Sequence, residues 1–314
     1  MENLIFSLNA TMPVFLMMVL GYVLNKIGVF DESFADKMNR FVFNAALQVL
    51  LFKDMSSSDF YLSWDGSFVL FCFLTTLICI FAMAGLSCFL KDKTIQGEFI
   101  QASFRSSPAL LGVAFVQNIY GKAGAASLMI IGAVPLYNVA SVVVLTLMRP
   151  ERGTLDKALL LKTGKGIVTN PLIIGVLAGI VWSLLRITQP VIMEKTISGF
   201  AATATPLGLM ALGASFDVKK AFSKLRPAMV CTMFKLVVFA AVFLPAAIRM
   251  GFRQDKLVSI LVMLGAAATV SCFTMARSMG HEGILSSSVV MLTTIFSAFT
   301  LTGWLYAVKC LGLI

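Results

Sequence analysis

The sequence predicts an all-α integral membrane protein of ten transmembrane helices, arranged as two inverted five-helix repeats. Three observations carry that expectation. Of 314 residues, 59% are hydrophobic and 13% charged, whereas a soluble domain needs roughly 25% charged residues to face water. The apolar residues come in blocks of about twenty, the length that crosses a bilayer core of about 30 Å. A set of Gly and Pro positions in the first half also returns in the second half at a nearly constant offset.

The blocks fall at 4–24, 38–54, 67–90, 99–119, 123–148, 166–185, 197–216, 228–248, 257–277 and 284–308. No basic segment precedes the first and no small-residue cleavage site follows it, so it is expected to stay as a span. The second is the weakest, because Asn44 and Gln48 interrupt its apolar core. The fourth is broken near its start by Arg105, Ser106, Ser107 and Pro108. The polar remainder is too scattered for a separate soluble domain.

Charge placement orients the spans. The loops after spans 1, 3, 5, 7 and 9 carry sixteen Lys and Arg, Arg105 and Arg277 among them, against eight on the opposite side. The richer side is expected to be cytoplasmic, which puts both termini outside the plasma (inner) membrane. The net charge of +10 is then mainly a topology signal. Its residues form no continuous basic patch with interleaved aromatics, which excludes nucleic acid as a partner.

The six cysteines, Cys72, Cys79, Cys88, Cys231, Cys272 and Cys310, lie in or beside apolar blocks without a CxxC pair. They read as small apolar packers. The single histidine, His281, sits in a short loop and is expected to be exposed. No metal or cofactor is expected. No Asp-rich diphosphate motif, Asp pair or HExxH occurs, so an intramembrane enzyme is excluded.

The repeat is explicit. Thr11-Met-Pro13 followed by Gly21 recurs as Thr169-Asn-Pro171 followed by Gly179, a shift of 158. The same shift places Gln48 on Pro206 and Leu51 on Leu209. Gly121-Lys-Ala-Gly124 matches Gly280-His-Glu-Gly283 at 159. The first unit would span 1–148, a cytoplasmic loop 149–165 and the second unit 166–314. An odd number of spans per unit inverts the second copy, and inverted repeats are a hallmark of alternating-access transporters.

Several runs resemble the auxin efflux carrier family. They are Pro13-Val-Phe-Leu-Met-Met-Val-Leu-Gly21, Phe41-Val-Phe-Asn-Ala-Ala-Leu-Gln-Val-Leu-Leu-Phe52, Thr169-Asn-Pro-Leu-Ile-Ile-Gly175 and Pro206-Leu-Gly-Leu-Met-Ala-Leu-Gly213. The resemblance covers nearly the whole chain and looks prokaryotic, without a large cytoplasmic loop. It implies the bile-acid/arsenite/auxin transporter type of fold, with helices 4 and 9 broken and crossing at the midplane. The implied cargo is a small organic anion of the auxin, malate or malonate kind. The chain departs from the family at Gln48, where proline is usual, and at Ser106-Ser107-Pro108, where a Gly-Asn pair is usual. Its ninth span also lacks the usual proline.

Polar residues at membrane depth usually face a cavity or one another. Ser106, Ser107 and Pro108 would start a half-helix whose free N–H groups suit a carboxylate, or else mark a simple kink. The repeat maps them onto 265–271, where Ala267 permits close crossing and Thr269 and Ser271 offer hydroxyls. Asn138, mid-span after Pro135, would meet substrate or tie two helices. Asn44 and Gln48, one turn apart, share a face and would line a cavity. Lys235, inside span 8, would either snorkel to the cytoplasmic surface or serve coupling. In the second role it supplies positive charge where sodium sits in related folds, or carries a proton.

The fifteen acidic residues lie in loops or near span ends, which disfavours a carboxylate-based cation site. The expected activity is secondary active transport of a mono- or dicarboxylate. The alternatives are a sodium-coupled symporter of the bile-acid type, a channel or a sensor. The expected partners are the small organic anion, the lipid bilayer and at most a second copy in a homodimer.

Overall fold

The computed structural model describes residues 2–57, 65–106, 116, 119–120, 125–149 and 169–314. Among them all extended regular structure is helical, and strand pairing is confined to one isolated antiparallel bridge, Ser106 with Ala268.

The first helix, α1, runs Glu2–Lys26. Asp31 then caps α2, Glu32–Phe41, by accepting from the Phe34 N–H at 2.6 Å. This helix continues through a wide π turn, Val42–Ala46, into α3, Leu47–Ser56. Asp65 caps α4, Gly66–Ser87, and Lys256 binds the same carboxylate at 2.5 Å. After Asp92 comes α5, Gln96–Phe104, and then α6, Ala125–Leu147. In the second half Asn170 caps α7, Pro171–Leu184, with proline at its first turn, where no N–H partner is needed. There follow α8, Val191–Ala202, and α9, Ala204–Ala214, joined at Thr203. A short α10, Val218–Ser223, leads into α11, Leu225–Met233. A second π turn, Phe234–Val238, continues into α12, Phe239–Arg249. The chain closes with α13, Gln254–Gly265, α14, Ser271–Ser278, and α15, Ile284–Cys310.

Five helices are long and apolar enough to cross a bilayer: Gly66–Ser87, Ala125–Leu147, Val191–Ala214, Leu225–Arg249 and Ile284–Cys310. Met12–Lys26 and Pro171–Leu184 are shorter apolar helices. The remaining apolar blocks do not form long unbroken helices. Polar residues dilute α2, α5 stops at Phe104, and 266–270 separates α13 from α14. Large apolar side chains such as Phe81, Val242 and Phe299 point outward at 67%, 57% and 57% exposure. A soluble protein would not sustain such a surface, so lipid covers it.

The helices pack in two groups. In one, α1 lies along α9 and α3 along α7. In the other, α4, α5 and α6 pack together and meet α13 and α15. The first group is drawn close by glycine. A Cβ on Gly21 would lie 2.2 Å from the Met210 carbonyl oxygen, and one on Gly179 would lie 2.6 Å from that of Phe52.

Two local expectations change. His281 is buried, 4% exposed, with Nε2 2.9 Å from the Leu145 carbonyl oxygen. Its loop turns inward at Gly280 and Gly283, whose φ values of 87° and 75° favour glycine. Among the cysteines, Cys88 and Cys310 are exposed and the other four buried, all as free thiols.

Candidate functional site

The site begins where two helices stop. Arg105 ends α5 in an extended conformation, φ −81° and ψ 114°. Ala266 ends α13 in the same way, φ −75° and ψ 159°. At membrane depth a non-helical backbone must find partners inside the protein. Here the two extended stretches use each other, through the bridge between Ser106 and Ala268. Small residues at 266–268 leave room for the approach.

Side chains then fasten the crossing. The Ser106 hydroxyl donates to the Met263 carbonyl at 2.5 Å and accepts from Lys235 Nζ at 2.7 Å. The Tyr137 hydroxyl donates to the same carbonyl at 3.3 Å. The Ala268 N–H donates to Thr293 Oγ1 at 3.0 Å. Lys235 reaches Ser106 from the π turn in the eighth apolar block, and π turns recur at functional positions. Its side chain is fully buried. Snorkelling to the cytoplasmic surface is therefore not its conformation, because the hydroxyl at the crossing offers its ammonium a partner.

Arg105 is the main residue that charge counting misplaced. Read as a loop charge, it is 3% exposed and turned into the protein by the helix break. Its Nη2 donates to Asn138 Oδ1 at 2.6 Å. Its Nη1 donates to Ser141 Oγ at 3.0 Å and lies 2.9 Å from the Met275 sulfur. The Asn138 amide donates in turn to the Val134 carbonyl at 2.9 Å, which aims its oxygen at the guanidinium. The sequence held a signal for this: an arginine inside an apolar block and a lone amide in the middle of the next one each need a partner.

A cavity of about 500 Å³ lies against this crossing. Arg105, Ser106, Tyr137 and Asn138 form one wall, and Thr269, Ser271 and Thr274 another. Apolar residues of α3 and the α8–α9 junction, such as Leu51 and Ala201, close the third. The Thr269 and Ser271 hydroxyls are 3.1 Å apart. Lys53 and Asp54, near the C-terminal end of α3, also line it. Asp54 thus puts a carboxylate in the cavity lining.

Of the residues singled out from sequence, Ser106, Asn138, Thr269 and Ser271 line this cavity. Lys235 stands behind Ser106. Ala267 is buried in the crossing and does not reach the cavity. Asn44 and Gln48 do share a face, Gln48 Nε2 donating to the Asn44 carbonyl at 2.5 Å, but that face turns away from the cavity. Ser107 and Pro108 lie outside the described residues.

Electrostatics set the chemistry. Ion pairs among the described residues include Lys224–Asp92, Lys256–Asp65, Arg277–Glu32 and Arg277–Asp36. Neither Arg105 nor Lys235 is in one. Two buried cations held, among the described residues, by neutral groups are costly, and an anion entering the cavity would offset that cost.

Residues 6–305 match the family described as membrane transport protein. The chain is 23% identical over 306 residues to a proposed malonate transporter of Rhizobium meliloti (strain 1021), covering 95% of this chain and 94% of that one. The chain therefore belongs to the auxin efflux carrier family of membrane transport proteins, and it is a transporter rather than an enzyme.

Proposed function

We propose that this transporter moves a small organic anion, a mono- or dicarboxylate of the malonate, malate or auxin kind, by alternating access across the plasma membrane. The observation that carries this reading is the pair of buried cations, Arg105 and Lys235, at a cavity lined in part by hydroxyls, neither cation being in an ion pair among the described residues. An anion is the ligand that such a site would attract. The malonate assignment of the Rhizobium relative points the same way.

The proposal includes ten spans in two inverted repeats, acting as a monomer or homodimer with both termini outside. The glycine contacts support the repeat. Gly21 on Met210 and Gly179 on Phe52 are one contact seen twice, because 179 − 21 and 210 − 52 both equal 158. Each repeat thus lends its first span to the other's second.

Alternating access fits the distribution of space. The central cavity extends to Lys53 and Asp54 near the C-terminal end of α3. A second cavity of about 650 Å³, around Tyr22, Lys26 and Arg277, lies at the opposite face. Between them α2 is tied to α14 by Asn39 Nδ2 to Ser278 Oγ at 3.2 Å and by Arg277 to Asp36 at 3.3 Å. In this reading the conformer faces outward, its inner gate is shut, and Lys235 serves as a built-in coupling cation.

The test is a thermal-shift series on the purified protein with malonate, malate, acetate and an auxin. Stabilisation by at least one carboxylate is expected. No stabilisation by any of them, with sodium present or absent, would remove the anion reading.

A further inference from the structure

We infer that Glu98 and Asp255 are a repeat-related pair of positioning residues, each fixing the outer end of a helix arm whose inner end forms the substrate crossing. Glu98 is 1% exposed in the first turn of α5. Its two carboxylate oxygens accept from the Gly283 N–H at 2.9 Å and the Ser286 N–H at 2.8 Å. These are first-turn donors of α15, which have no partner within their own helix. Asp255, in the first turn of α13, accepts from the Ala125 N–H at 3.2 Å, where α6 begins.

The two contacts are the same contact in exchanged repeats. Asp255 follows Glu98 by 157 residues and Gly283 follows Ala125 by 158, close to the offset of the Gly-x-x-Gly motifs at these turns. The inner ends repeat the exchange. Arg105, just past α5, binds Asn138 and Ser141 on α6. Ala268, past α13, binds Thr293 on α15. Each arm is therefore held at its outer end by one terminal helix and at its inner end by the other. Four attachments set the depth at which the bridge between Ser106 and Ala268 sits.

The two ends differ in strength. Among the described residues Glu98 is buried and accepts two bonds, while Asp255 accepts one, partly buried, across the repeats. Around Glu98 the packing is tight, since a Cβ on Gly97 would lie 2.7 Å from the His281 ring. Glu98 should therefore matter more.

This inference rests on the anion-transport reading only for its ligand arm, and the experiment separates the two. Hydrogen exchange is measured on the purified protein for wild type, Glu98→Gln, Glu98→Asp and Asp255→Asn, together with the dissociation constant for malonate. In Glu98→Gln an amide N–H replaces one acceptor oxygen and faces a backbone donor. Faster exchange is expected at 283–287 and also at the crossing, 104–106 and 266–269, with malonate binding weakened about three- to tenfold, the worth of one hydrogen bond. Glu98→Asp, which keeps both oxygens, should recover part of both effects. Asp255→Asn should loosen the start of α6 and the crossing to a smaller degree. Faster exchange confined to 283–287, with the crossing and malonate affinity unchanged, would reduce Glu98 to a local cap and overturn the inference. Should Glu98→Gln fail to fold, Asp255→Asn decides by the same criterion. Should malonate not bind the wild type, the transport reading loses its ligand while the exchange data still decide this point.

Discussion

Replacing Lys235 with methionine separates its two candidate roles with one substitution. The side chains are similar in length and both apolar along the stem, so packing is preserved. The ammonium disappears, and with it the 2.7 Å bond to Ser106 Oγ. An anion that takes the Ser106 hydroxyl proton in place of the Met263 carbonyl, through a hydrogen bond of about 2.8 Å, lies within about 5.5 Å of Lys235 Nζ. At an effective dielectric constant of about 20, two unit charges at about 5.5 Å interact by about 3 kcal/mol. That corresponds to roughly a hundredfold in affinity. Stability should move the other way or not at all. The lost charge-assisted bond costs about 1.5–3 kcal/mol, but an ammonium held without a carboxylate no longer has to be desolvated, a penalty of several kcal/mol. Lys235→Met is thus expected to melt no lower than wild type and to bind malonate about a hundredfold more weakly, measured by calorimetry in detergent. Malonate affinity within threefold of wild type would refute the reasoning and leave Lys235 a structural residue.

Three further outcomes follow from the geometry. Ala267→Leu should abolish transport while the protein still reaches the membrane, because the crossing is closely packed and overpacking costs about 1–3 kcal/mol; normal uptake in vesicles would place the moving parts elsewhere. Asp36→Arg and Arg277→Asp should each weaken the inner tie between α2 and α14 and slow exchange of labelled substrate, and the double exchange should restore it in part; a double variant no better than either single one would remove the tie from the mechanism. The carboxyl of Asp92, between α4 and α5, is held down to about 2 chiefly by hydrogen bonds from Lys224 and Thr94. A depressed value means stability present above the ordinary carboxylate range near 4 and lost as pH falls through about 2. The melting-point gap between wild type and Asp92→Asn should therefore shrink below pH 4 and be unchanged from pH 5 to 8.

Hydropathy made the class and most of the helices legible, because lipid imposes a simple length rule on apolar blocks. The crossing was legible in part, since a polar run with proline inside an apolar block reads as either a break or a kink. What the break does was not. Counting lysine and arginine treats Arg105 as a loop charge, because a linear count cannot see that the chain turns inward there. Lys235 was ambiguous for a related reason: its stem reaches either the surface or the crossing, and only the π turn and the position of Ser106 select the second. Asn44 and Gln48 share their face as periodicity requires, but periodicity does not say which neighbour that face meets. Glu98 and His281 looked like ordinary loop-side residues because their partners, Gly283, Ser286 and Leu145, are far away in sequence.

The central claim is that the cavity beside Arg105 binds an anion that is carried. Counterflow tests it most directly: proteoliposomes loaded with unlabelled malonate, diluted into a trace of labelled malonate, without an ion gradient. Wild type should accumulate label transiently above its equilibrium level, and Arg105→Met should not, because the bound anion would lose a buried charged partner, a loss of about 2–5 kcal/mol. An unsaturable, purely downhill flux, or accumulation by Arg105→Met equal to that of the wild type, would contradict the account.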